Sequence, residues 1–186
     1  FSIRTLLVIL NSKVLEFYFK FIGVMTAGGA FTLKKATIEL LPIAKPESNL
    51  PFENMADYMT FINSLGKYDN INPHVPNSHI AQLFEEVIDA MVMELYFKED
   101  FEKSGIEFIK YAERDFESIE GKSEKEQIEI IHRAYQKLRA KDNEIRNNLK
   151  LMDIKLADIV MPIKAAKWWT RLSKSSSSIL SSSTGK

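Results

Sequence analysis

From residue 123 to residue 156 the chain reads SEKEQIEIIHRAYQKLRAKDNEIRNNLKLMDIKL. Ile128, Ile131, Tyr135, Leu138, Asp142, Ile145, Leu149, Met152 and Leu156 follow one another at alternating steps of three and four. That spacing places them on one stripe of an α-helix and predicts four heptads of continuous helix, with Asp142 as the single polar position in the seam. The pattern Ser123-x-x-Glu126 at its start is a capping box, in which serine and glutamate each satisfy a backbone N–H of the first turn. Such a helix either packs within its own domain, against another long helix, or serves as a spacer or docking arm.

Working back along the chain, the partner for that packing is a second periodic stretch. Ser78 is a candidate N-cap for a helix reaching Phe97, on which Ile80, Phe84, Val87, Met91 and Leu95 share a face. Residues 99–118 predict a further helix with a break near Gly105. Residues 66–78, rich in Asn, Pro and Asp, read as loop. An amphipathic helix is expected from Glu53 to Leu65, with Met55, Tyr58, Met59 and Ile62 on its apolar side. The two prolines of residues 45–52, Pro46 and Pro51, with their polar neighbours make that stretch a connector.

The first 46 residues have another character. Residues 3–22 predict helix in two pieces, divided at Asn11-Ser12, where a short polar side chain can cap the second piece. Val14, Phe17, Tyr18 and Phe21 give that second piece an aromatic face, expected to be core. Gly28 and Gly29 then break the helix. A short strand is expected over Ala30 to Lys34, a helical turn over Lys35 to Leu40, and a buried strand over Leu41 to Ala44, bracketed by Pro42 and Pro46. The fold class that follows is mainly α, with a small α+β segment at the N-terminus and a helical bundle or long helical hairpin after it. The expected divisions are 1–46, 47–172 and a low-complexity, serine-rich tail at 173–186, read as disordered.

Net charge is zero over 186 residues, but it is unevenly spread. Residues 1–46 carry six basic residues against Glu16 and Glu39, whereas residues 47–163 carry 14 basic and 23 acidic. An anionic partner is therefore expected to meet the first segment or the basic tail, and the acidic middle is not expected to wrap DNA. The absence of cysteine excludes disulfides and thiolate metal sites and fits a reducing compartment, so the expected location is cytoplasmic. The apolar start is long enough to span a bilayer. However, four charges, Arg4, Lys13, Glu16 and Lys20, interrupt it, and no membrane partner is expected. Beginning at Phe1 in sequence of structured character, the chain reads as an excerpt of something longer.

No catalytic constellation stands out. Asn72-Pro73 begins like the Asn-Pro-Pro-aromatic motif of amino-methyltransferases, but His74 and Val75 follow, and the motif is missing. Glu120-Gly121-Lys122, with Asp115 upstream, has the form of a nuclease metal site yet lies where a helix ends. His74, His79 and His132 lack ligand spacing, so no metal site is expected.

The order of motifs in the first segment is more telling. Leu10-Asn11-Ser12-Lys13, Phe17-Tyr18-Phe19-Lys20, Gly28-Gly29, Phe31, Lys34-Lys35 and Leu41-Pro42-Ile43 together resemble the end of the TaqI-like C-terminal specificity domain of fused restriction–modification N6-adenine DNA methyltransferases. LPFENMADYMTFI (50–62) and FEEVIDAMVMELYF (84–97) look like helices that follow that close in relatives. The resemblance covers about a quarter of the chain. It implies a target-recognition region whose partners are duplex DNA and a catalytic domain of the same polypeptide. S-adenosylmethionine is the cofactor implied for that other domain, and no cofactor is expected in this segment itself.

The residues this reading assigns to DNA are Thr26, Thr32, Lys34 and Lys35 on phosphate, Gly28 and Gly29 for close backbone approach, and Lys13, Lys20 and Lys45 as a basic rim. The competing expectation is a helical protein–protein or dimerisation module, self-associating through the heptad seam, with no DNA contact.

Overall fold

The computed structural model describes residues 1–25, 31–32, 35–66 and 69–165. The chain is mainly α, with ten helices among the described residues. Helix α1 (Ile3–Leu10) is capped by Ser2, whose side chain accepts from the Arg4 N–H. Helix α2 (Lys13–Ile22) follows at once, because the Ser12 hydroxyl accepts from the Leu15 N–H and starts a new first turn. The expected division at Asn11-Ser12 is the observed one.

Two two-residue strands come next, β1 (Val24–Met25) and β2 (Phe31–Thr32), paired antiparallel with Val24 opposite Thr32 and Met25 opposite Phe31. One turn of helix, α3 (Lys35–Ile38), follows. Residues 41–46 do not form the expected second strand. No neighbouring strand lies alongside them among the described residues, and Leu41 and Ile43 are only partly buried.

Helix α4 (Leu50–Ser64) begins three residues earlier than the periodicity suggested, because Pro51 fits the first turn, where its missing N–H costs nothing. The long helix α5 (Asn77–Tyr96) occupies the middle of the packing and touches α2, α4, α6 and α9. Helix α6 (Lys98–Ser104) closes in a Schellman turn: Gly105 N–H donates to Glu102 O, and Ile106 N–H donates to Phe101 O. Gly105 has φ +65° with open space around it, so glycine is favoured here by backbone conformation and not by room. Helix α7 (Ile109–Asp115) follows.

The heptad stretch is two helices. Helix α8 (Glu124–Arg139) and helix α9 (Glu144–Lys155) are separated by a turn in which Ala140 is extended and Asn143 caps α9. Asp142 is exposed in that turn instead of sitting in a seam. Ile131, Tyr135, Leu138, Ile145, Met152 and Leu156 are all buried in the chain's own core. Helix α10 (Ala157–Lys164) packs against α9 and α2. The architecture after the first segment is therefore a bundle and not a long hairpin.

The core is continuous across residue 46: Val8, Ile9, Val14 and Leu15 join Phe52, Met55, Ile80 and Phe84 in one cluster. At its centre Tyr58, Phe84 and Phe116 meet edge-to-face, with ring centroids 5.5 to 6.1 Å apart. The aromatic face of α2 is only partly core. Its buried residues are Val14, Leu15 and Phe19, whereas Phe21 is 73% exposed. Trp168, Trp169 and the 173–186 tail lie outside the described residues.

Candidate functional site

Helix α5 carries three polar side chains that each leave its own turn structure to hold another element. Asp89 Oδ1 accepts from the backbone N–H of Lys13 at 2.8 Å. A carboxylate from one helix thereby satisfies an orphan donor at the N-terminus of another, α2, where the helix dipole also favours negative charge. One turn and a half further on, Glu94 Oε2 accepts from the N–H groups of Phe108 (2.6 Å) and Ile109 (2.8 Å) and does the same for α7. At the helix end, the Tyr96 hydroxyl donates to Pro42 O (2.5 Å) and accepts from Ala44 N–H (3.2 Å). Leu41-Pro42-Ile43 is thus pinned by a tyrosine and not by strand pairing.

Burial pushes Glu94 above the ordinary carboxylate range. Burial also pushes Asp89 up to about 6, against the opposing pull of the Lys13 N–H and its charge. Asp89 lines a cleft of about 410 Å³ between α1, α2, α4 and α5, together with Asn11, Lys13, Glu16, Thr60 and Glu85.

A second polar centre lies between α7, α8 and α9. The Asp115 side chain, 1% exposed, accepts from Arg114 Nε (2.6 Å) and Nη2 (3.0 Å) and from Asn143 Nδ2 (3.2 Å), with Lys137 Nζ at 2.7 Å. Burial alone would raise this carboxyl, but Arg114 and Lys137 hold it below the ordinary range. Arg114 also grips Glu144 with two bonds of 3.0 and 2.9 Å, and its guanidinium pulls that carboxyl down to about 2. The group locks three helices together. Its acid is consumed by internal partners.

The DNA-assigned residues fare unevenly. Lys20 and Lys45 are exposed. Lys35 is exposed and lies 3.7 Å from Glu39 one turn on. Lys13 Nζ pairs with Glu16 at 2.7 Å, so its charge is turned inward along α2 and not held out as a rim. Arg4, also basic, is spent on Asp57 (2.8 Å) and Glu120. Thr32 is placed by its backbone in β2. Thr26, Gly28, Gly29 and Lys34 lie outside the described residues.

The remaining motif fragments are structural. Asn72 is buried, its Oδ1 accepts from the His74 N–H, and its Nδ2 lies 3.2 Å from His132 Nε2. Gly121 turns the chain at φ +70°. Among the described residues no group of three or more His, Asp or Glu could hold a metal ion, and no helix is long and apolar enough to cross a membrane. Sequence reasoning missed the roles of Asp89, Glu94 and Tyr96. They stand on the polar side of a periodic helix, where acids ordinarily face solvent.

No family model, curated protein or solved structure matches the chain.

Proposed function

We propose that this chain is the C-terminal part of the DNA-specificity region of a restriction–modification N6-adenine methyltransferase. It would hold duplex DNA for a catalytic domain elsewhere in the same polypeptide, one that flips the target base and uses S-adenosylmethionine. A cytoplasmic location belongs to the same reading. The observation that carries it is convergence on α5. Three phrases that resemble that family, far apart in sequence, meet there: Asn11-Ser12-Lys13 through Asp89, Leu41-Pro42-Ile43 through Tyr96, and FEEVIDAMVMELYF as the helix itself. Physical contact among them supports reading them as one inherited unit. On this reading, the exposed Lys20, Lys35 and Lys45, with Lys34, supply phosphate contacts that position DNA without reading its sequence.

The test is DNA binding by the full-length enzyme with Lys34 and Lys35 both changed to Glu. Loss of two phosphate contacts lowers the slope of log affinity against log salt by about 2. An unchanged affinity and slope would sink the assignment.

A second reading, a protein-interaction module without DNA contact, rests on a different surface from the heptad seam. Ile131 is fully buried, so Ile131→Asp would unfold the chain and could not report on a dimer. The surface that favours this reading is the outer stripe of α1, where Ile3, Leu7 and Leu10 are exposed at helical spacing. Sedimentation of Leu7→Glu against the parent, with a DNA shift assay at low salt, separates the two readings.

A further inference from the structure

The cleft of about 410 Å³ between α1, α2, α4 and α5 has a mixed lining. Leu7 and Val8 of α1, Met59 of α4 and Ile88 of α5 give it apolar wall. Its charged groups are Glu85 and Asp89, one turn apart on α5, and the Lys13–Glu16 pair of α2. Helices α1 and α4 add no charged side chain, so three acids face one lysine. The protein makes little use of two of those acids. Among the described residues Asp89 takes one hydrogen bond, from the Lys13 N–H at Oδ1, and Glu85 takes none. Burial raises both carboxyls, Asp89 to about 6, so the fold carries a cost that a cation in the cleft would relieve.

We propose that this cleft binds a small organic cation, a primary ammonium or guanidinium on a short aliphatic stem. Its charge would meet Glu85 and Asp89, and its stem would lie along Leu7, Val8, Met59 and Ile88. The volume falls within the range of small-molecule sites, and an apolar wall with a few convergent polar groups is their usual composition. A divalent metal ion is a poorer occupant. It requires several oxygen ligands at once, and no group of three or more His, Asp or Glu among the described residues could hold one. An anion would meet three carboxylates against a single lysine that is already paired with Glu16. The proposal does not rest on the DNA reading, whose phosphate contacts are assigned to Lys20, Lys34, Lys35 and Lys45.

Isothermal titration calorimetry of the 186-residue chain tests it, with n-butylamine and n-butylguanidinium as probes and n-butanol as the uncharged control. At least one of the two cations is expected to bind, and butanol is not. Affinity should rise about tenfold from pH 5 to pH 7.5, because an acid of pKa about 6 is only about one-tenth ionised at the lower pH. Asp89→Asn keeps an oxygen for the Lys13 N–H while removing the charge. It should weaken binding about tenfold at pH 7.5 and flatten the pH dependence. Two variants at exposed residues keep the test open if Asp89→Asn does not fold: Glu85→Gln removes the other charge, and Thr60→Trp fills the cleft with both acids in place. Each should weaken binding with far-UV circular dichroism unchanged. Failure of both cations to bind the parent chain overturns the proposal. So does binding of butanol as tight as that of the cations, or cation binding that ignores both Glu85→Gln and Thr60→Trp.

Discussion

Asp89 and Asp115 are both largely buried carboxylates, and they are held in opposite ways. Asp115 has a guanidinium, an ammonium and an amide around it and sits below the ordinary range. Asp89 has one backbone N–H at 2.8 Å and a lysine whose ammonium is paired with Glu16, and it is pushed up to about 6. Burial is common to both. What separates them is whether cations arrive with the acid. The first centre fastens α7, α8 and α9, and the second joins α5 to α2 at the edge of an open cleft.

The largest effect expected from breaking this comparison is at Asp115. Asp115→Ala leaves the buried Asn143 amide without this acceptor and Lys137 without its acid, while Arg114 keeps Glu144, and should cost about 2 to 3 kcal/mol in chemical denaturation. A loss under about 1 kcal/mol would mean that solvent already screens the group.

The second effect is a pH dependence of opposite sign at the two sites, about 2 to 3 kcal/mol at Asp89. Asp89 binds its proton more tightly folded than unfolded, so its contribution is full below about pH 4 and is lost as pH rises toward 6. Asp115 binds its proton less tightly folded, so its contribution is present above the ordinary carboxylate range and is lost on acidification below it. Denaturation curves from pH 3 to 8 should show Asp89→Asn removing the decline between 4 and 6 while leaving the acid limb intact. If the variant and parent curves are parallel, Asp89 is not the group responsible.

Smaller effects sharpen the role of α5. Glu94→Ala removes the acceptor for two N–H groups of α7 and should cost about 1.5 kcal/mol, with amide exchange accelerated first at residues 108–112. Ser123→Ala should cost about 1 kcal/mol, since it removes one half of a complete capping box. Equal losses from the two substitutions would argue that α5 caps its neighbours no better than a helix caps itself.

Much of this fold was legible from periodicity and caps. The division of α1 from α2 at Ser12, the break at Gly105, the capping box at Ser123 and the buried stripe Ile80-Phe84-Val87-Met91 all follow from local rules. The local stereochemistry of serine and glycine, and apolar side chains at one helical face, require little from the rest of the molecule. The sequence also carried a signal for the turn at 140–143 that the heptads masked. Asp142-Asn143 places two N-cap residue types in mid-helix, and Asn143 is the cap. The DNA-assigned lysines were read only as charges; the Lys13–Glu16 pair is a local contact three residues apart on one helix, whereas the exposure of Lys20 and Lys45 depended on what packed around them.

By itself, then, the sequence determined which segments are helical, where most of them start, and which faces are apolar, because each of these depends on residues within a turn or two. Only the tertiary structure decided that the heptad stretch is two helices. Its break is closed locally, by Arg146 donating to Arg139 O at the end of α8 and Asn147 donating to Lys141 O in the turn, and is tied to the rest of the fold where Asn143 donates to the buried Asp115 of α7. A continuous helix would have kept the seam and lost those bonds. The preference between the two belongs to α7, which lies 28 residues away along the chain from Asp115 to Asn143.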